Sequence, residues 1–245
     1  MPANADFNPT RWSLISAVRS GDAPRVHEAL ETLCRSYWYP LYAYVRRLGQ
    51  GPEDAADLTQ GFFAHLLEKE LLTRADPERG RLRNFLLTAM QCYLRDDWRK
   101  NQRQKRGGGA EMISIDELIA EGLYAREPSS NVTPETLYHR RWALTLLERT
   151  LVSLRSSYTE QGKAALFDAL KPALTEDPDA ASAAETGANL DMTAGAVRVA
   201  VTRLRARYRE RLLAEVAASM DVHTEAEVKE EIEALFRAVA LPTRR

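Results

Sequence analysis

The stretch SAAETGANLDMTAGAVRVAVTRLR, residues 182–205, predicts two helices joined by a tight turn. Gly187 is a small residue within the first helix, and Asp191 stands where the turn requires a left-handed backbone. Glycine is more common at such a position, but Asp tolerates this conformation better than most residues. Thr193 is placed to cap the second helix, and Val197 to pack back onto the first. The layout is that of a helix-turn-helix.

The second helix combines an apolar stripe with a basic surface. At about 100° per residue, one sector of about 60° collects its apolar side chains, which are Val197, Val201, Leu204 and Tyr208. Residues 194–213 also carry six arginines against one acid, Glu210. This charge alone leaves open a solvated basic helix on a bundle. Together with the turn pattern, it favours a helix that enters the major groove of duplex DNA with its N-terminal residues at the base edges.

The rest of the chain also separates its charges. A formal net charge of −1 gives the 245-residue chain no overall attraction for nucleic acid. Residues 74–106, however, hold ten lysines and arginines against four acids, and they form a second basic segment. Nearly every segment follows a helical period, and no window alternates like a strand for long. The sequence therefore predicts an all-α protein.

A break in the helical pattern divides the chain. It begins at the three glycines of residues 107–109 and ends beyond Pro128. We predict a first domain at 1–106, a linker at 107–133, a second domain at 134–220 and a helical extension at 221–245. The linker and the extension are both acidic. Because the extension follows the basic helix directly, its opposite charge suggests autoinhibition, with packing on the second domain or binding of a regulator as alternatives.

Local patterns predict where the helices of these parts lie. Thr10 is placed to cap a short first helix, and Pro40 is expected to kink or break the second one. A helix over about 52–69 and a longer one over about 80–106 follow. The extension reads as an amphipathic helix with an apolar face formed by Val228, Ile232, Leu235 and Phe236.

Several classes of function are disfavoured by the sequence. The four histidines, His27, His65, His139 and His223, have no carboxylate three residues before them and no second histidine at metal-binding spacing, so we expect no metal. Two cysteines, Cys34 and Cys92, make neither a disulfide framework nor a zinc knuckle. The glycines at 107–109 lack the Gly-Lys-Ser/Thr ending of a phosphate-binding loop. We therefore predict a binding protein that is not an enzyme and needs no cofactor.

The location of the protein is a further expectation from the sequence. No apolar run approaches the roughly 20 residues needed to cross a bilayer. The N-terminal sequence MPANADFNPT lacks the basic and apolar regions of a signal peptide. We expect a cytoplasmic protein without a membrane partner.

Two parts of the chain resemble a known family. The run DAADLTQGFF, residues 54–63, and the basic helix that follows resemble conserved region 2 of the sigma-70 family of RNA polymerase sigma factors. The C-terminal run LDMTAGAVRVAVTRLRARYRERL resembles region 4 of the same family. Both occur in the family's order, and the whole is similar to the extracytoplasmic-function (ECF) type. The resemblance covers most of 30–106 and 137–218, and implies two helical domains joined by a flexible linker.

The resemblance also implies which residues bind which partner. The helix that docks on the polymerase core would use Asp57, Gln60, Ala64 and Leu67. The strand of the minus-10 promoter element would be held by Arg81, Arg83, Asn84, Arg95, Trp98, Arg99, Lys100 and Arg103, which supply cations for phosphates and flat or amide groups for bases. An aromatic residue at helical spacing is most often part of the core, but the basic, non-periodic neighbours of Trp98 favour its exposure. The minus-35 element would be contacted by Thr193, Ala194, Gly195, Arg198, Thr202, Arg203, Arg205 and Arg207. In the family the linker threads the polymerase channel, although a plain tether is an equal interpretation.

The function implied is that of a sigma factor that binds core polymerase, recognises the minus-35 and minus-10 elements and promotes promoter opening. Its partners would be bacterial RNA polymerase core and promoter DNA, with an anti-sigma factor or another regulator as a third class. The alternative is a helix-turn-helix transcriptional regulator that binds duplex DNA without recruiting polymerase. The surface around Asp57 and Gln60 separates these two hypotheses, because a simple repressor does not need it.

Overall fold

The computed structural model describes residues 23–69, 71–74, 81–101, 117–127, 132–177, 179–220 and 224–240. Over these residues the chain forms α-helices and short 3-10 turns without a strand, which confirms the all-α class. The α-helices are α1 (Ala23–Arg47), α2 (Pro52–Glu68), α3 (Leu82–Asn101), α4 (Glu117–Tyr124), α5 (Pro134–Glu160), α6 (Ala164–Leu170), α7 (Ala180–Asn189), α8 (Ala194–Ala218) and α9 (Glu225–Val239). The short helix predicted after Thr10 lies outside the described residues. Within them, no helix is long and apolar enough to cross a membrane.

The chain folds as two compact units. The smaller unit is residues 146–215, and the larger unit takes the described residues before and after it. The units therefore divide the chain at other positions than the predicted domain boundaries, and the C-terminal helix α9 belongs to the larger unit. The roles assigned to the predicted domains stay predictions.

The larger unit has an aromatic core on α1 and α2. Tyr37, Leu41 and Tyr42 are fully buried on α1, and Phe62 and Leu66 are buried on α2. Pro40 lies inside α1 without interrupting it, so the predicted break does not occur. Burial of the side chains around it outweighs the cost of about 3 kcal/mol that a proline imposes inside a helix.

A glycine allows α2 and α3 to approach each other closely. A Cβ built on Gly61 would lie 2.5 Å from the hydroxyl oxygen of Tyr93. The Tyr93 ring also packs against Phe62, with ring centroids 5.8 Å apart, and against His65 at 5.4 Å. The glycine within DLTQGFF thus leaves room for the Tyr93 side chain of α3 against α2.

Part of the predicted linker folds onto α1. The Glu121 carboxylate of α4 accepts hydrogen bonds from Arg46 Nε at 2.7 Å and from the Tyr42 hydroxyl at 2.5 Å. The Arg46 guanidinium also lies 4.7 Å from the centre of the Tyr124 ring. Hydrogen bonding to Arg46 holds the pKa of Glu121 below its ordinary value. The negative charge of Glu121 is therefore balanced by Arg46 of α1.

A second linker carboxylate, Glu127, is also paired and is more deeply buried than Glu121. Glu127 accepts a hydrogen bond from the Tyr39 hydroxyl at 2.8 Å and pairs with Arg140 and Arg141 of α5. Its side chain is nearly inaccessible to solvent. Residues 107–116 and 128–131 of the predicted linker lie outside the described residues.

The smaller unit has a separate core. Its buried side chains come from α5, α6, α7, α8 and the 3-10 turn at Lys171–Leu174. They are Leu154, Tyr158, Phe167, Leu170, Ala173, Ala183, Val197, Val201 and Leu204. Tyr158 and Phe167 pack with ring centroids 5.5 Å apart. The apolar sector predicted on α8 is buried at Val197, Val201 and Leu204 and half-buried at Tyr208, as expected from its period.

Candidate nucleic-acid interface

The turn between α7 and α8 has the geometry that its sequence predicts. Asp191 adopts the left-handed conformation with φ of 54°. The Met192 amide donates to the Gly187 carbonyl at 2.8 Å, and a Cβ on Gly187 would lie 2.5 Å from the Met192 carbonyl oxygen. The Thr193 hydroxyl accepts a hydrogen bond from the Ala196 amide at 3.2 Å and caps α8. Glycine and aspartate are therefore used here for backbone reasons, and the turn fixes the start of α8.

The first turns of α8 present an open polar surface. Thr193, Gly195 and Arg198 are exposed, and Ala194 is partly exposed. One turn further on, Arg203 is exposed, and the Thr202 hydroxyl donates to the Arg198 carbonyl at 3.0 Å. These residues lie on the side of α8 away from its buried stripe. A helix that binds in the major groove of a duplex requires its contact residues to be on such an exposed side.

Two other predicted duplex contacts take part in the packing of the smaller unit. Arg205 donates to the Ala173 carbonyl at 2.8 Å, to the Glu176 carbonyl at 3.2 Å and to Asp177 at 2.5 Å. It therefore fixes the segment that leads into α7. Arg207 is exposed, but its guanidinium lies 5.3 Å from the centre of the Tyr158 ring. A DNA-binding role of either arginine stays a prediction.

The predicted polymerase-binding residues share one side of α2. Asp57 and Leu67 are exposed, and Gln60 and Ala64 are partly exposed. The opposite side faces the core with Ala55, Thr59, Phe62, Phe63 and Leu66. An acid and an amide beside small and apolar side chains can combine hydrogen bonding with apolar contact, as partner surfaces commonly do.

The later part of α3 exposes an aromatic residue. The Trp98 side chain is 68% exposed, which agrees with the interpretation that it is not a core residue. Asn84 and Arg95 are exposed as well, and Arg95 lies within 3.0 Å of the Cys92 sulfur. An exposed indole on a helix with arginines suits stacking on an unpaired base. The structure does not describe the side chains of Arg99 and Lys100. Arg103 lies outside the described residues.

At its start, α3 is covered by the C-terminal helix. Arg81 pairs with the Glu231 carboxylate of α9 at 2.5 Å. Arg83 donates to both oxygens of the same carboxylate, the longer bond being 3.2 Å, and its guanidinium lies 4.4 Å from the centre of the Trp142 ring. The Arg83 carbonyl accepts a hydrogen bond from the Tyr138 hydroxyl at 2.9 Å. We call Arg81 and Arg83 the arginine pair. It was predicted to meet DNA, and in this structure it holds a carboxylate of the chain itself.

Burial dominates the electrostatics of this contact. Loss of solvent raises the pKa of Glu231 above its ordinary value, although both arginines act in the opposite direction. Loss of solvent likewise lowers the pKa of Arg83, against the attraction of Glu231. The charged forms thus lose more from burial than they regain from each other, which makes the ion pair a weak source of stability.

Glu231 is a functional candidate that the apolar period did not identify. The predicted apolar face of α9 included Phe236, but this side chain is 53% exposed, so that assignment is wrong. The buried stripe runs through Val228, Glu231 and Leu235 instead. The spacing of three and four residues was present in the sequence, but a glutamate is normally placed on the solvated face.

In the residues that the structure describes, no group of three or more histidine, cysteine or acidic side chains is placed to hold a metal ion.

Comparison with known proteins gives a match to one family model. Residues 33–104 match the family model of sigma-70 region 2. No curated protein and no solved structure matches the chain. The match spans α1 from residue 33 onward and the whole of α2 and α3, and so includes the predicted polymerase-binding face and the arginine pair.

Proposed function

We propose, starting from the sigma-70 region 2 in residues 33–104, that this chain is a sigma factor that directs RNA polymerase to promoters. Sigma-70 family proteins are transcription initiation factors and not enzymes, and region 2 supports binding to polymerase core and to promoter DNA. The observation that carries the proposal is this match, because it covers the helices that bear the polar face of α2 and the exposed indole of α3.

The finer proposal assigns the two DNA elements to different units. Trp98, Asn84 and Arg95 on α3 would hold the unpaired strand of the minus-10 element, by stacking and by cation contacts. The start of α8, from Thr193 to Arg203, would read the minus-35 element in the major groove as the second helix of a helix-turn-helix. The left-handed turn at Asp191 and the exposed arginines support this assignment. With one unit for the minus-10 element and one for the minus-35 element, the chain would be an ECF-type sigma factor that acts in the cytoplasm.

A duplex-binding regulator that does not recruit polymerase is the second candidate function. The geometry of the turn and of α8 would serve it equally well. The region 2 match favours the sigma factor, because a regulator of that kind has no need for the helices that it covers.

The test is promoter-dependent transcription with purified core polymerase. We expect the chain to form a complex with core and to start transcripts at a defined site. Asp57→Ala should weaken core association about tenfold, because it removes a charged contact from the predicted face. Asp54→Ala is the matched control, since it makes the same charge change at another exposed position of α2 and should alter core association less than twofold.

The two candidate functions differ in this assay. Duplex binding without core association or initiation would remove the sigma-factor proposal and leave the regulator. Equal losses from both variants would show that α2 contributes only general charge.

A further inference from the structure

We propose that α9 is a displaceable cover of the arginine pair, and that Glu231 occupies the place of a DNA phosphate. The inference rests on the proposed function, since it concerns the same α3 surface. It assigns to the C-terminal helix the regulation of minus-10 strand binding.

A charged residue interrupts an otherwise apolar stripe on α9. Val228, Glu231 and Leu235 are the buried residues of this helix, and the Glu231 side chain is 1% exposed. A leucine at this position would pack the helix without the cost of burying a charge. The carboxylate therefore adds specificity for a cationic site more than it adds stability. The cations that it meets are Arg81 and Arg83.

The contact has the form of a phosphate contact. Both oxygens of Glu231 accept from Arg83, and one of them also accepts from Arg81. Arginine forks bind carboxylates and phosphates by the same bidentate geometry. The arginine pair is thus arranged for an anion with at least two oxygens, and a nucleic-acid phosphate meets that requirement.

DNA and the docked α9 would exclude each other at this place. Glu227, Glu230 and Glu233 are exposed on the outer side of α9, so the docked helix presents further negative charge to an approaching strand. Exchanging the carboxylate for a phosphate keeps the arginines paired, and the closed pair itself contributes little stability because burial outweighs its attraction. A DNA strand that makes further contacts with α3 can therefore displace Glu231 from the arginine pair.

The experiment compares Glu231→Gln with Glu230→Gln in the full chain. Both variants remove one negative charge from α9, but Glu231 is buried on the arginine pair and Glu230 is exposed. The probe is a fluorescently labelled single-stranded DNA of about 20 nucleotides, titrated over a series of salt concentrations. Glu231→Gln should bind it about fivefold more tightly than the parent chain, and Glu230→Gln less than twofold. The salt slopes of Glu231→Gln and the parent chain should be equal, because the arginine pair gains the same phosphates in both complexes.

A second measurement follows the cover directly. Hydrogen exchange of the parent chain, with and without the same DNA, should show faster exchange over 225–239 and slower exchange over 82–101 when DNA is bound. Adding Arg81→Gln to Glu231→Gln should reverse most of the gain in affinity. Equal affinities of Glu231→Gln and Glu230→Gln, or α9 amides that DNA leaves unchanged, would overturn the inference and make Glu231 a fixed structural partner.

The transcription assay separates this failure from failure of the proposed function. A parent chain that initiates transcription while Glu231→Gln behaves like Glu230→Gln refutes only the cover. A parent chain that neither binds core nor initiates refutes the proposed function, and the cover is refuted with it.

Discussion

Two helices of this chain carry arginines at or near their N-terminal ends, and these arginines have different surroundings. At the start of α3, Arg81 and Arg83 hold a buried carboxylate. At the start of α8, Arg198 and Arg203 are exposed. The difference lies in a residue 148 positions away from Arg83 along the chain, which no local pattern around α3 contains. A basic segment thus shows where cations are, but the rest of the fold decides whether a ligand can reach them.

The largest expected effect comes from breaking the turn that presents the open start of α8. In Gly187→Ala the new Cβ would lie 2.5 Å from a backbone carbonyl oxygen, so the turn must shift. We expect the smaller unit to lose about 2 kcal/mol of unfolding free energy and duplex binding to fall with it. Urea unfolding followed by circular dichroism measures the loss.

Gly195→Ala is the matched control for this change. Its Cβ meets only the Thr193 hydroxyl at 3.9 Å, which is an ordinary contact, and alanine favours the helix by up to about 1 kcal/mol. Stability should therefore stay equal or rise. A Gly187→Ala protein as stable as the parent would show that the turn adapts, and it would remove the backbone argument for glycine at this position.

The next effect tests which arginines of α8 are available to DNA. Arg198→Ala should lower duplex affinity about tenfold, because it removes the proposed contact of an exposed arginine with the major groove. Its unfolding midpoint should not change. Arg205→Ala should do the reverse: it should lower the midpoint, since three oxygens of the smaller unit lose their donor.

Fluorescence anisotropy with a promoter duplex and thermal unfolding of the same samples decide between these roles. Arg205→Ala with unchanged stability and a tenfold loss of affinity would place Arg205 on the DNA after all. Equal affinity of Arg198→Ala and the parent chain would remove the proposed groove contact.

The contrast between these two helix starts also explains which features could be predicted from the sequence. The α7–α8 turn was predictable because Gly187, Asp191 and Thr193 each act within a few residues of their partners. The exposure of Trp98 was predictable too, since basic residues surround it off the apolar period. The Arg83–Glu231 contact was not predictable, because it joins distant segments. It also places a charge inside a buried stripe, whereas a prediction from periodicity assumes that the buried face of a helix is apolar.

The smallest expected effect sharpens the comparison at the covered end of α3. His139 of α5 lies near the arginine pair, and burial, followed by the charge of Arg83, lowers its pKa to about 4. A histidine in the unfolded chain takes up a proton near pH 6.5, whereas His139 in the folded chain does not. Protonation of His139 therefore favours the unfolded chain. The free energy of unfolding is unaffected by this histidine above pH 6.5 and falls as the pH drops from 6.5 toward 4. Because the side chain is partly exposed, we expect a loss of only about 1 kcal/mol between pH 6.5 and 5.

The variant His139→Asn isolates this contribution, and urea unfolding of both proteins at several pH values measures it. Glu231 acts in the opposite direction, because its raised pKa makes the folded chain hold a proton more tightly than the unfolded chain. It is present in both proteins, as are Glu135, Arg81 and Arg83, so it cancels in the difference between them. The variant should lose less stability than the parent as the pH falls. Parallel pH profiles would show that His139 is protonated as readily in the folded chain as in the unfolded one, and that the covered start of α3 is open to water.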